Sequence, residues 1–241
     1  MMQQRIFPDR LLLGTAAAQA VAETVQGILK NQSEVNMVFA AAPSQEEFLA
    51  SLVQQPLDWK WINAFHMDEY VGSSEFATFL RERLFGRVPF RSVHYLDGTA
   101  PDLPEECRRY AGLLETFPTD IVCLGIGENN HLAFNDPPVA DFKDPADVKV
   151  VALDAACRRQ QVNDGCFASI RDVPTHALTL TIPALFRGRH LFCMVPGERK
   201  AKAVYQTINA RVSTRYPSTI LRRHPAVQMF LDRDSAKLLT P

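Results

Sequence analysis

The chain has 241 residues, 46% of them apolar and 22% charged, with 26 Lys and Arg against 27 Asp and Glu for a net charge of −1. That composition supports a sizeable core and excludes global disorder, and it lacks the basic excess of a non-specific nucleic-acid binder. The longest apolar runs fall far short of the ~20 residues a membrane span needs.

The first expected element is a helix over Asp9–Lys30; Asp9 and Arg10 interrupt the apolar start, so no signal-peptide layout is present and a cytoplasmic protein is expected. A buried strand follows over Val35–Ala41, then a helix after Pro43 with Ser44 as N-cap and Glu47 three residues on, a capping box. A strand over Trp61–Met67 leads to helices over Ser74–Phe85 and Pro104–Glu115. Strands over Asp120–Ile126 and Val148–Leu153 precede a helix over Ala155–Phe167. The chain closes with strands over His176–Ile182 and His190–Val195, a helix over Glu198–Asn209 and a strand over Ala226–Leu231. Runs that are apolar almost throughout suit parallel strands covered on both faces. The alternation predicts a doubly wound, mostly parallel α/β sheet with helices on both faces, Rossmann-like, as a single domain over residues 1–241. The five cysteines show no Cys-x-x-Cys pair, which fits neither a disulfide framework nor a zinc ribbon, and Cys123 and Cys193 read as small buried hydrophobes.

In such sheets ligands bind at the carboxyl ends of strands. There the chain places Asp68-Glu69-Tyr70, a Gly125-x-Gly127 turn followed by Glu128, Asn129, Asn130, His131, Asn135 and Asp136, and a Gly197-Glu198-Arg199-Lys200 turn opening a helix. Each has a bland reading: a helix cap for the paired acids, a satisfied core histidine, a solvated lysine. Together, a carboxylate, a His–carboxylate pair and a cation at a helix start point to acid/base chemistry on an anionic substrate.

Phe65-His66-Met67-Asp68-Glu69-Tyr70 resembles the F-N-M-D-E-Y signature of glucosamine-6-phosphate deaminases (isomerases). Gly125-Ile126-Gly127 with His131-Leu132-Ala133-Phe134-Asn135-Asp136-Pro137 is similar to their G-x-G-x-D-G-H-I-A-F-N-E-P segment. Val173-Pro174-Thr175-His176-Ala177-Leu178-Thr179, Gly197-Glu198-Arg199-Lys200-Ala201 and Pro217-Ser218-Thr219-Ile220-Leu221 with His224 match later family segments in the same order. The related 6-phosphogluconolactonases usually continue H-T-A-S-L-F-P after the histidine, which this chain does not.

The resemblance implies aldose–ketose isomerisation with loss of ammonia from a hexosamine 6-phosphate, in a divergent paralogue, with no cofactor and no metal. It assigns C1–C2 proton transfer to Asp68 and ring opening to His131, oriented by Asp136. Asn129 stands where the family has an acid and Asn130 where it has Gly, so Asn129 is expected to orient a catalytic group without ionising. The phosphate is expected on Lys200 and backbone N–H groups, with Ser44 serving in a loop where alanines replace the family's glycines. Glu69, Gly127 and Asn130 are expected to line the substrate, and Arg158 and Arg159 to replace the missing lid arginine as an anion clamp. Alternatives are another sugar-phosphate enzyme of the same fold, a lactonase or a non-deaminating isomerase, and a non-catalytic sugar-phosphate sensor. The expected partner is a small amino-sugar phosphate, with neither nucleic acid nor membrane, and the resemblance allows a homo-oligomer.

Overall fold

In the computed structural model, which describes residues 2–239, strands and helices alternate as the apolar pattern predicts. Residue 1 and residues 240–241 of the expected domain lie outside the described residues. The first half runs β1 (Gln3–Phe7), α1 (Arg10–Leu29), β2 (Val35–Phe39), α2 (Glu46–Leu52), β3 (Ile62–His66), β4 (Asp68–Tyr70), α3 (Glu75–Leu80), β5 (Ser92–His94) and α4 (Leu103–Thr116). The second half runs β6 (Ile121–Leu124), β7 (Val148–Ala152), α5 (Ala155–Asn163), β8 (His176–Leu180), α6 (Ile182–Phe186), β9 (His190–Val195), α7 (Ala201–Asn209) and β10 (Val227–Asp232).

Seven strands form one parallel sheet in the order β1-β10-β9-β6-β2-β3-β5. The period-2 alternation of each strand divides its side chains between two cores. Along β2, Met37 and Phe39 join Leu13, Val21 and Val25 of α1 and Phe48 and Leu52 of α2, while Val38 joins Tyr110 and Leu114 of α4 and Val204 of α7. Burial on both faces is why these strands read as unbroken apolar runs, each large side chain contributing about 1.5–3 kcal/mol of transfer free energy. Cys123 enters one core and Cys193 the other, both buried, and all five thiols are free. No helix among the described residues is long and apolar enough to cross a membrane.

Two strands expected in the parallel sheet lie elsewhere. β7 and β8 pair antiparallel, and β4 adds to β8 to make a second, three-stranded sheet. Length and apolarity cannot separate the two cases; the exposed Val150 in β7 is the half-solvated signature of an antiparallel strand. The capping box is also replaced. Residues Pro43–Gln45 form a 3-10 turn, Ser44 caps nothing, and Glu47 accepts from Arg10 Nη2 at 2.9 Å instead. α5 ends at Asn163, short of the expected Phe167. β1, β4, β5 and α6 were not anticipated; the first is polar and solvent-exposed, and the others have three to five residues.

From β2 the chain steps outward through β3 to β5, whereas from β6 it steps the other way through β9 to β10. The adjacent carboxyl ends of β2 and β6 therefore flank a topological switch point, where diverging crossovers leave a crevice.

Candidate active site

A cleft of about 590 Å³, counted to its open mouth, lies at that switch point. Its walls come from the turns after β2 (Ala40 to Gln45), β3 (Met67, Asp68), β6 (Gly125 to Gly127, His131, Ala133, Phe134) and β9 (Lys200), and from Gln160, Gln161 and Asp164 around α5. Segments far apart in the chain meet here because parallel strands deliver all their carboxyl ends to one edge of the sheet.

Asp68 stands at the seam of the two sheets. β3 ends at His66 in the parallel sheet, and Asp68 pairs with Thr179 in the antiparallel one. Its side chain is 6% exposed and faces the cleft with no hydrogen-bond partner among the described residues. Burial, with the neighbouring Glu69 charge second, raises its carboxyl well above the ordinary range. A buried carboxyl with free lone pairs is suited to taking a proton from a ligand and returning it.

His131 is 9% exposed and lies over Gly127, so close that a Cβ at Gly127 would stand 2.2 Å from the ring. Its Nδ1 bonds Asp136 Oδ1 at 2.9 Å, which leaves Nε2 as the nitrogen available for chemistry. Burial alone would raise Asp136, but the charge and hydrogen bond of His131 and a hydrogen bond from Asn129 outweigh it and hold the carboxyl below its ordinary value. Asn129 does not line the cleft. Its Nδ2 donates to Asp136 Oδ1 at 2.9 Å and its Oδ1 accepts from His131 N at 3.2 Å, so it locks the dyad in place.

Lys200 closes the 3-10 turn that follows Gly197 and leads into α7, is 7% exposed, and its ammonium has no hydrogen bond or ion pair among the described residues. Burial lowers its pKa, while Asp164 and Glu128 nearby pull the other way. A largely buried cation that lines a cleft is suited to holding an anion. Ser44 lines the same cleft and its hydroxyl accepts from Gln45 Nε2 at 3.2 Å.

Four of the expected substrate contacts are not at the cleft. Glu69 is fully buried, and its carboxylate accepts the backbone N–H groups of Tyr70, Phe76 and Ala77, capping α3 from the outside. Burial outweighs these bonds and raises its pKa to about 7. Asn130 is also fully buried and donates to Ala203 O, Thr207 Oγ1 and Ser218 Oγ. Its φ of 72° explains why the family's glycine is replaced by Asn, the side chain that best tolerates left-handed backbone. Arg158 turns outward to the carbonyls of Ile170 and Val173 at 2.6 and 2.8 Å, and Arg159 is exposed to solvent.

The residues that take their place are Gln45, Gln160, Gln161 and Asp164, all lining the cleft. Gln160 is engaged at both ends, accepting from Glu128 N at 2.8 Å and donating to Asp164 Oδ2 at 3.3 Å, and Asp164 pairs with Arg199 at 2.5 Å. Gln45 donates to Met194 O at 3.3 Å, but its buried Oε1 has no donor among the described residues. The helical spacing Cys157, Gln160/Gln161, Asp164 was the available signal, since it marks one face of α5. Among the described residues, His131, Asp136 and Cys157 bring potential metal-ligand atoms within 4.8 Å of one another. Nδ1 and Oδ1 are already bonded to each other, and burial pushes the Cys157 thiol up, so it stays protonated.

Residues 8–230 match the family described as glucosamine-6-phosphate isomerases/6-phosphogluconolactonase. The chain is 32% identical over 226 residues to a glucosamine-6-phosphate deaminase of Bacillus thuringiensis (strain Al Hakam), covering 92% of this chain and 84% of that one. Among solved structures it is similar to a monomeric glucosamine-6-phosphate deaminase, with a TM-score of 0.88 and 29% identity over 98% of this chain and 100% of the other. It shares its fold with a 6-phosphogluconolactonase from Thermotoga maritima, with a TM-score of 0.79 at 17% identity over 96% of this chain and 100% of the other.

Proposed function

The chain belongs to the glucosamine-6-phosphate isomerase/6-phosphogluconolactonase family, and on that premise we propose that it deaminates and isomerises glucosamine 6-phosphate to fructose 6-phosphate and ammonia. In this reading the phosphate sits on Lys200 and Ser44, and the opened sugar extends along the cleft to Asp68. His131 Nε2, its tautomer held by Asp136, moves the proton that opens the ring at its oxygen. Asp68 removes the proton from C2 to give an enolamine and returns it to C1. Water then attacks the resulting C2 imine, giving the ketose and releasing ammonia.

One observation carries this reading: a buried, unpartnered carboxyl shares a cleft with a His–Asp dyad and a buried, unpaired lysine. A lactonase needs no carboxylate to shuttle a proton between neighbouring carbons, so Asp68 favours the amino-sugar reaction. The test is ammonia release measured beside ketose formation from glucosamine 6-phosphate, in wild type and Asp68→Asn. Loss of the proton shuttle is expected to lower kcat by about 10²–10⁴-fold while substrate still binds. Undiminished turnover in that variant would overturn the assignment.

A further inference from the structure

We propose that Gln161 is a specificity-determining contact that reads the hydroxyl groups in the middle of the sugar chain and so selects the epimer the enzyme accepts; this rests on the sugar-phosphate reading above. One face of α5 and its C-terminal end carries Cys157, Gln161 and Asp164. Cys157 lies against Asp136, at the end of the site where the proton chemistry is placed. Asp164 lies on the cleft near Lys200, at the anion end. With a helical rise of about 1.5 Å per residue, Gln161 stands about 6 Å from the first and about 4.5 Å from the second along the axis. It therefore faces the stretch of ligand between the reacting carbons and the phosphate.

The Gln161 side chain is 8% exposed, lines the cleft, and has no hydrogen-bond partner among the described residues. Its neighbour Gln160 is bonded to Glu128 N and Asp164, so it is not free to turn to a ligand. Its amide atoms are not sealed from solvent, so the donor and acceptor they carry are open to a ligand that enters the cleft. An amide also offers a donor and an acceptor side by side, which matches a hydroxyl better than the donor-only guanidinium suited to phosphate.

Gln161→Leu removes the amide while nearly preserving volume. The experiment compares kcat/KM for glucosamine 6-phosphate and its C4 epimer galactosamine 6-phosphate, in wild type and variant. In parallel, calorimetry measures binding of the unreactive open-chain polyols glucitol 6-phosphate and galactitol 6-phosphate. Wild type is expected to separate the epimers, and the variant to narrow the ratio about five- to tenfold, the size of one neutral hydrogen bond, mainly through KM. If wild type turns over neither amino sugar, the proposed function fails and the polyol ratio alone decides the role of Gln161. An epimer ratio unchanged by the substitution in the decisive assay overturns the inference, as does a wild type that binds neither polyol or both equally. Unchanged thermal melting of Gln161→Leu shows that a narrowed ratio reflects the contact and not a damaged fold.

Discussion

Gly127 has no room for even a methyl group: a Cβ there meets three ring atoms of His131, which Asp136 and Asn129 hold from the other side. Gly127→Ala is therefore expected to displace the imidazole by about an ångström and lower kcat by about 10²-fold with little change in far-UV circular dichroism. Full activity in that variant would remove His131 from the reaction. Asp68 illustrates the cost of keeping a carboxyl ready for chemistry. Its folded pKa is raised by burial, so below about pH 4 both folded and unfolded chains are protonated and ionisation costs the fold nothing. As pH rises, the unfolded chain releases the proton first, and stability falls until the folded acid ionises too. Asn never ionises, so Asp68→Asn is expected to melt higher than wild type at neutral pH, with the gap closing toward pH 4. Melting curves across that range check it, and a pH-independent gap would contradict it.

The elements differ in how they hold the site. The strand turns are fixed by a core packed on both faces, but α5 is small and depends on ties to neighbouring segments. Arg158 is one of these, bonding two carbonyls of the segment that leads from α5 back to β8. Arg158→Ala is expected to lose about 1–3 kcal/mol of local stability, seen as faster proteolysis within residues 164–173. Because the same helix positions Gln161 and Asp164, KM should rise several-fold with kcat nearly kept; unchanged KM and protease resistance would show that α5 holds without this tie. In the sequence, Arg158 and Arg159 look better suited to a phosphate than the glutamines that follow them. A helix turns about 100° per residue, which carries Arg159 to the face opposite Gln161, while Arg158 is drawn away from the cleft by the carbonyls of Ile170 and Val173.

At the scale of the whole molecule, the parallel sheet creates the crevice, and the second sheet aims Asp68 into it. β4 leaves β3 after Met67 and pairs with β8, so Asp68 is pulled out of the plane of the main sheet at the point where its strand ends. Leu180 N bonding Met67 O at 2.8 Å ties the two sheets at that seam. β8 runs antiparallel both to the preceding strand β7 and to β4, and the second of these pairings joins segments more than 100 residues apart in the chain.

The two-faced apolar runs were sufficient, read alone, to specify a mostly parallel α/β sheet, because burial on both sides leaves a local trace in every strand. The turns carrying Asp68, His131, Asp136 and Lys200 were legible too, since chemistry-bearing residues at strand ends stand out against apolar neighbours. What the linear order could not distinguish was which polar side chains serve the ligand and which serve the backbone. Glu69, Asn130 and Arg158 bind buried N–H groups, a buried polar cluster and loop carbonyls, while the Gln161 side chain has no hydrogen-bond partner among the described residues and faces the cleft. That division depends on partners supplied by distant segments, so only the folded arrangement decides it.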